Sequence, residues 1–153
     1  MDLSLDKTDR KILEIVAADA RISMTELARR VSLSKTPVLA RLRRLEQLGV
    51  IQGYAAQIDP VRLGLDHVAF VEVKLTDTRE KALSAFNRAV AGVPEIEECH
   101  MIAGAFDYLL KVRTSDMTRY RVVLGERISS LPHVAHTATH VAMQAVKDGG
   151  FVT

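Results

Sequence analysis

The sequence predicts an α+β chain: an N-terminal helix-turn-helix (winged-helix-like) domain followed by a βαββαβ, ferredoxin-like domain. Three observations predict it. Residues 23–48 hold two helical stretches, each with an apolar stripe, split by Ser32, Leu33 and Ser34. Residues 67–146 switch repeatedly between strand-like and helix-like apolar periods. Asp59 and Pro60 close the first regime. The expected division is 1–58 for the helical domain, 59–66 for a linker and 67–153 for the second domain.

The elements follow in order. Asp6 with Asp9 marks a helix start, and Ile12, Leu13, Ile15 and Val16 give that helix an apolar face to about Ala18. Ser23 with Glu26 three residues on is a capping box opening a second helix, faced by Leu27, Ala28 and Val31. Ser34 can cap a third helix over residues 35–48, with Pro37 in its first turn and Gly49 as its stop. Val38, Leu42 and Leu45 form its buried stripe. Residues 50–58 read as extended, and 61–66 as a helical turn.

Residues 67–75 are β-rich, and 79–90 are helical with Leu83, Phe86 and Val90 on one side. Strands are expected at 96–102 and 108–114, joined by the loop 104–107. Ser115 is expected to cap a helix over 116–130, faced by Met117, Tyr120, Leu124 and Ile128. A long final strand covers 134–146. Helices cover only one face of such a sheet. Apolar residues on both faces of its strands (Val68, Phe70, Val71, Val73; Leu109, Leu110, Val112) therefore predict a homodimer at least.

Composition narrows the function classes. With 48% hydrophobic residues in 153, the chain can bury a substantial core. Net charge is only +2, which argues against indiscriminate coating of nucleic acid, and the excess is local: 11 cations and 9 acids in residues 1–66, against 10 and 10 in the remainder. The single cysteine, Cys99, excludes an internal disulfide and suits a reducing, cytoplasmic setting. No apolar run is long enough for a membrane span, and the acidic start MDLSLDKTDR does not suit a signal peptide.

Between Arg29 and Arg44 lie Arg29, Arg30, Lys35, Arg41, Arg43 and Arg44 with no intervening acid. A short helix, a turn and a longer helix with a basic outer face is the pattern that enters the major groove of double-stranded DNA. Ser34, Lys35, Thr36 and Leu39 near the start of the third helix would approach base edges, while Arg41, Arg43 and Arg44 neutralise phosphates. The bland alternative is a solvated helical hairpin.

In the loop Gly104, Ala105, Phe106, Asp107, Tyr108, glycine permits positive φ and close approach of a ligand to the backbone. Successive N–H groups can hold a carboxylate, and Asp107 offers an anion to an ammonium. Together they suit the head of a free amino acid; a tight turn between strands is the alternative. His133, His136 and His140, with Cys99 and His100, invite a metal reading. Residues 136 and 140 on one strand lie about 13 Å apart, too far for one ion within the chain. No acid–base pair or nucleophile elbow is visible, so no enzyme, no metal and no cofactor is expected.

The order of motifs carries a resemblance. S-x-x-P-V-x-x-R-x-x-x-L-E-x-x-G-V-I-x-G-Y over residues 34–54, G-x-F-D-Y at 104–108 and V-x-x-T-x-T at 134–139 resemble the Lrp/AsnC (feast/famine) transcription regulators across essentially the whole chain. Within that family the sequence is most similar to regulators of proline dehydrogenase in proteobacteria. The resemblance implies a DNA-binding regulator of transcription with an amino-acid effector (proline the candidate), and a dimer that assembles further, often to an octamer. It places Met101, Gly104, Phe106 and Asp107 on one wall of the effector pocket. Thr137 and Thr139 of a neighbouring chain form the other. Two other classes stay open at this point: a small dimeric ferredoxin-like enzyme and a metal-sensing regulator.

Overall fold

The computed structural model describes residues 4–147. They form two compact units, one ending at Gln57 and the other spanning Ile58–Lys147.

In the first unit, helix α1 (Lys7–Ala18) opens on a complete capping box. The Asp9 N–H donates to Asp6 Oδ1 at 2.8 Å and the Asp6 N–H to Asp9 Oδ2 at 3.3 Å. Helix α2 (Met24–Arg30) starts at Ser23, whose Oγ accepts the Glu26 N–H at 3.2 Å. Only this half of the expected box forms, because the Glu26 carboxylate turns to Arg29 and Arg30 instead. Helix α3 (Lys35–Gln47) starts at Ser34, but contrary to expectation the Ser34 hydroxyl caps nothing. Ile12, Leu27, Val38 and Leu45 fill the centre of the three-helix core.

Helices α2 and α3 each end on a left-handed residue. After α2, Ser32 takes φ 56°, its N–H donates to Arg29 O, and the Leu33 N–H reaches Ala28 O. After α3, Gly49 takes φ 70°, with its N–H on Glu46 O and the Val50 N–H on Leu45 O. These are Schellman closures, in which only glycine is free of steric penalty. Gly49→Ala should therefore lower stability by about 1 kcal/mol, read as a shift in the urea midpoint of the first unit. Residues 50–58 do not form the regular extended element expected of them. The N–H groups of Val50 and Ile51 are drawn back to Leu45 O, and both side chains pack on the helical core, so no strand forms there.

The second unit opens with a 3₁₀ turn, Val61–Leu63, that ends at left-handed Gly64. Then follow β1 (His67–Leu75), α4 (Glu80–Val90), β2 (Ile96–Met101), β3 (Tyr108–Thr114), α5 (Met117–Val123) and β4 (Val134–Val141). The sheet is antiparallel in the order β2-β3-β1-β4, which is the ferredoxin-like arrangement. Ala69, Val71 and Val73 of β1 and Leu110 and Val112 of β3 pack with Phe86, Val90, Tyr120, Val123 and Ile128 of the helices. The alternate residues face the other way. There Val68, Phe70 and Leu109 are set among Glu72, Lys111 and Arg113, a mixed surface rather than a second apolar face.

Two elements differ from expectation. Helix α5 is capped by Asp116, not Ser115: Asp116 Oδ1 accepts the Arg119 N–H at 2.7 Å while the Ser115 hydroxyl donates to Asp116 Oδ2. Past Val123 it widens into a π turn, Leu124–Ile128, in which Gly125 is a weak helix former. Strand β4 stops at Val141 instead of residue 146. Its partner β1 runs out there: Val141 pairs with Ala69, the Ala142 N–H takes Val68 O, and beyond it Met143 and Val146 stand in solvent.

Candidate nucleic-acid interface and effector pocket

Burial of Val38 and Leu45, with Leu42 packed beside them, turns the opposite side of α3 outward. Lys35, Thr36 and Arg43 are exposed there and Leu39 is half-buried. The six cations are not equivalent. Arg29 and Arg30 share Glu26 at 2.7 and 2.9 Å. Arg41 bridges Asp6 at 2.6 Å and Asp9 at 2.8 Å. Arg44 meets Asp9 at 3.1 Å and the Ser4 carbonyl at 3.0 Å. Among the described residues, Lys35 and Arg43 have no ion-pair or hydrogen-bond partner. The acid-free run therefore misled in one respect. Its counter-charges come from residues 6, 9 and 26, outside the run, and the long-range partners of Arg41 and Arg44 leave no trace in local spacing.

Glu26 carries a measurable signature of this pairing. Hydrogen bonds from Arg29 and then Arg30 bring its carboxyl from an ordinary 4.5 down to about 2. A depressed acid stabilises the fold fully above the unfolded value and loses that contribution as pH falls through the folded one. The melting temperature of the first unit should therefore drop between pH 4.5 and 2. Glu26→Gln should remove part of that drop, measured by circular dichroism melts across the range.

The loop of the second unit is organised differently from expectation. Gly104 does not adopt positive φ, and a Cβ there would meet only an Ile102 methyl at 3.5 Å, an ordinary contact. Asp107 is not a free anion. Its Oδ2 accepts the Leu75 N–H at 2.8 Å, just past the last β1–β3 pair, Val73 with Tyr108, and its Oδ1 takes the Lys74 ammonium at 3.3 Å. Phe106 is half-buried and Met101 exposed. Thr137 and Thr139 lie on β4, and Thr139 Oγ1 is 2.6 Å from Tyr120 Oη. Strands β3 and β1 stand between them and β2. Within one chain Met101 is thus far from the two threonines, whereas Asp107 is one strand away: its N–H donates to Val73 O, and Val73 pairs with Thr137.

A groove of about 410 Å³ lies between α4 and β2, lined by Asn87, Val90, Ile96, Cys99, Met101 and Tyr108 among others. It shares only Met101 with the predicted effector residues. Burial pushes the Cys99 thiol up, away from the reactive thiolate. His140 pairs with Glu72 and His100 with Glu98. Among the described residues no three metal-ligating side chains converge.

A helix-turn-helix with a basic, solvent-facing third helix, carried on the same chain as a ferredoxin-like unit, defines a DNA-binding regulator with a sensor domain. The comparisons agree. Residues 5–52 match a winged helix-turn-helix DNA-binding domain and residues 68–151 the Lrp/AsnC ligand binding domain. The chain belongs to the Lrp/AsnC family of transcription regulators. It is 61% identical over 142 residues to a proline dehydrogenase transcriptional activator of Rhodobacter capsulatus, covering 93% of this chain and 92% of that one. It is 48% identical over 143 residues to the leucine-responsive regulatory protein of Escherichia coli, covering 94% and 87%. Among solved structures, a transcriptional regulator of Neisseria meningitidis in an L-Met complex superposes with TM-score 0.88 at 32% identity, covering 95% of this chain and 94% of that one.

Proposed function

We propose that this regulator binds a pseudo-palindromic operator as a homodimer and that a free amino acid, with proline the first candidate, biases that binding. The observation that carries the DNA-binding half is the pair of unpartnered cations, Lys35 and Arg43, on the exposed side of α3 beside Thr36 and Leu39. The uncapped Ser34 hydroxyl at the helix start is open to a phosphate or base. Arg41 and Arg44, also expected at the DNA, are engaged by Asp6 and Asp9 and stand back from it.

For the effector, Met101, Gly104, Phe106 and Asp107 supply one wall, and Thr137 and Thr139 of a partner subunit supply the other. The separation of Met101 on β2 from Thr137 and Thr139 on β4 within one chain supports a pocket shared between subunits. The uncovered sheet face, where Val68, Phe70 and Leu109 lie among Glu72, Lys111 and Arg113, supports a dimer with a mixed apolar and charged interface, which we take to assemble further to an octamer. The protein acts in the cytoplasm and is not an enzyme. The relatives' names favour proline: the activator from Rhodobacter capsulatus is named for proline dehydrogenase.

The test is a thermal-shift screen against the twenty amino acids. A ligand at 100 times its Kd should stabilise the folded state by about 2.7 kcal/mol. Proline is expected to raise the melting temperature. A flat response to all twenty removes the amino-acid effector from the reading.

A further inference from the structure

We propose that Asp9, supported by Asp6, is a positioning residue for DNA binding: it withdraws Arg41 and Arg44 from the phosphates and sets the angle at which α3 presents Lys35 and Arg43. The inference rests on the DNA-facing assignment of α3 made above.

Asp9 is 1% exposed, in the first turn of α1. Its two oxygens divide the work. Oδ1 accepts Arg41 Nη1 at 2.8 Å, and Oδ2 accepts Arg44 Nη1 at 3.1 Å together with the Asp6 N–H. Each arginine has a second anchor on the same segment: Asp6 Oδ2 at 2.6 Å for Arg41, the Ser4 carbonyl at 3.0 Å for Arg44. One buried carboxylate thus ties the start of α1 to two positions of the recognition helix. The positive end of the α1 dipole favours the acids being where they are.

Helical geometry separates the two sets of cations independently of these bonds. At about 100° per residue, and counting from Lys35, Leu39, Arg43 and Thr36 fall within roughly 100° of one another, while Arg44 and Arg41 fall near 180° and 240°. The buried stripe lies between Arg41 and Lys35 on this wheel. Arg41 and Arg44 therefore occupy the flank toward α1, and Lys35 and Arg43 the flank open to a partner. Charge points the same way. Two arginines against Asp6 and Asp9 sum to zero, so the cluster adds little attraction for a polyanion. The buried carboxylate is what fixes this division: without it, two long guanidinium side chains on the recognition helix would be free to reach any duplex.

The experiment measures duplex affinity of the full-length protein against KCl concentration, for an operator selected from a random pool and for an unselected duplex. Each cation that neutralises a phosphate contributes about 0.9 to the slope of log K on log salt. Arg43→Ala is expected to flatten the slope by about that amount per subunit, and Arg44→Gln to leave it unchanged. Asp9→Asn should steepen the slope, as freed arginines join the phosphates, and cut operator-over-random discrimination about tenfold; Asp9→Glu should restore both in part. A purely structural role for Asp9 predicts no change of slope in folded protein. An Arg44→Gln slope as flat as that of Arg43→Ala overturns the proposal, as does Asp9→Asn with wild-type slope and discrimination. Should Asp9→Asn fail to fold, Arg44→Gln decides alone, since Arg44 is half exposed. If instead neither Lys35→Ala nor Arg43→Ala alters the slope, the DNA-facing assignment itself falls, a different result from failure of the clamp.

Discussion

A Lys35→Ala, Arg43→Ala double variant is expected to bind its operator about 10²–10³-fold more weakly than the parent, with secondary structure unchanged. Four cations leave a dimeric complex, and phosphate or base-edge contacts of this kind are worth roughly 1 kcal/mol or more apiece. Both side chains are exposed and make no bond within the described residues, so their loss removes nothing from the fold. Far-ultraviolet circular dichroism and the melting curve should match the parent, while fluorescence anisotropy on a labelled operator should not. Undiminished affinity would falsify the assignment of this side of α3 to DNA. The contrast with Arg41 is instructive: its hydrogen bonds to Asp9 and then Asp6 raise the proton affinity of the guanidinium, a sign of how fully that charge is already used.

Leu45→Ala should have the other large effect, and in the opposite register: folding lost, surface untouched. Leu45 is 0% exposed at the centre of a small core whose buried members among the described residues are Ile12, Ile15, Val16, Leu27, Ala28, Val38 and Leu45. Truncating a buried leucine costs about 2–5 kcal/mol. A unit of some fifty residues holds roughly 3–8 kcal/mol in total at about 0.05–0.15 kcal/mol per residue. The first unit should therefore be largely unfolded near 37 °C. Because the second unit has its own core around Phe86, Tyr108 and Leu110, its calorimetric transition should persist near the parent temperature. Loss of both transitions together would show the two units to be one cooperative block.

Local signals account for most of what could be read before the fold was seen. The Asp6–Asp9 box, the Val38–Leu42–Leu45 stripe and Gly49 are all short-range features, and they bound α1 and α3 to within a residue. The alternation of β1 likewise matched His67–Leu75 without adjustment. What escaped were outcomes decided by distant partners. Residues 50–58 look extended, yet they lack a neighbouring strand to pair with, and the Leu45 carbonyl of α3 takes the amides of Val50 and Ile51. Residues 142–146 look like strand, yet β1 has ended beside them. Ser115 is a plausible cap, and Asp116 one position on outcompetes it with a charged acceptor. In the sites the same rule held. That α3 was basic was plain, but that Asp9 would claim two of its arginines depended on a separation of more than thirty residues. Asp107 was visible as an acid in a loop, and its bond to the Leu75 amide was not.

The outermost strand on the β2 side bears on how the molecule behaves in concentrated solution. Its pairing with β3 slips between Ile96 and Glu98, and Glu97 and Glu98 sit at that irregularity. An edge that is kinked and carries adjacent carboxylates is a poor template for another strand: an incoming backbone would meet a broken ladder and unfavourable charge. Ribbon-like growth through this border is thereby discouraged.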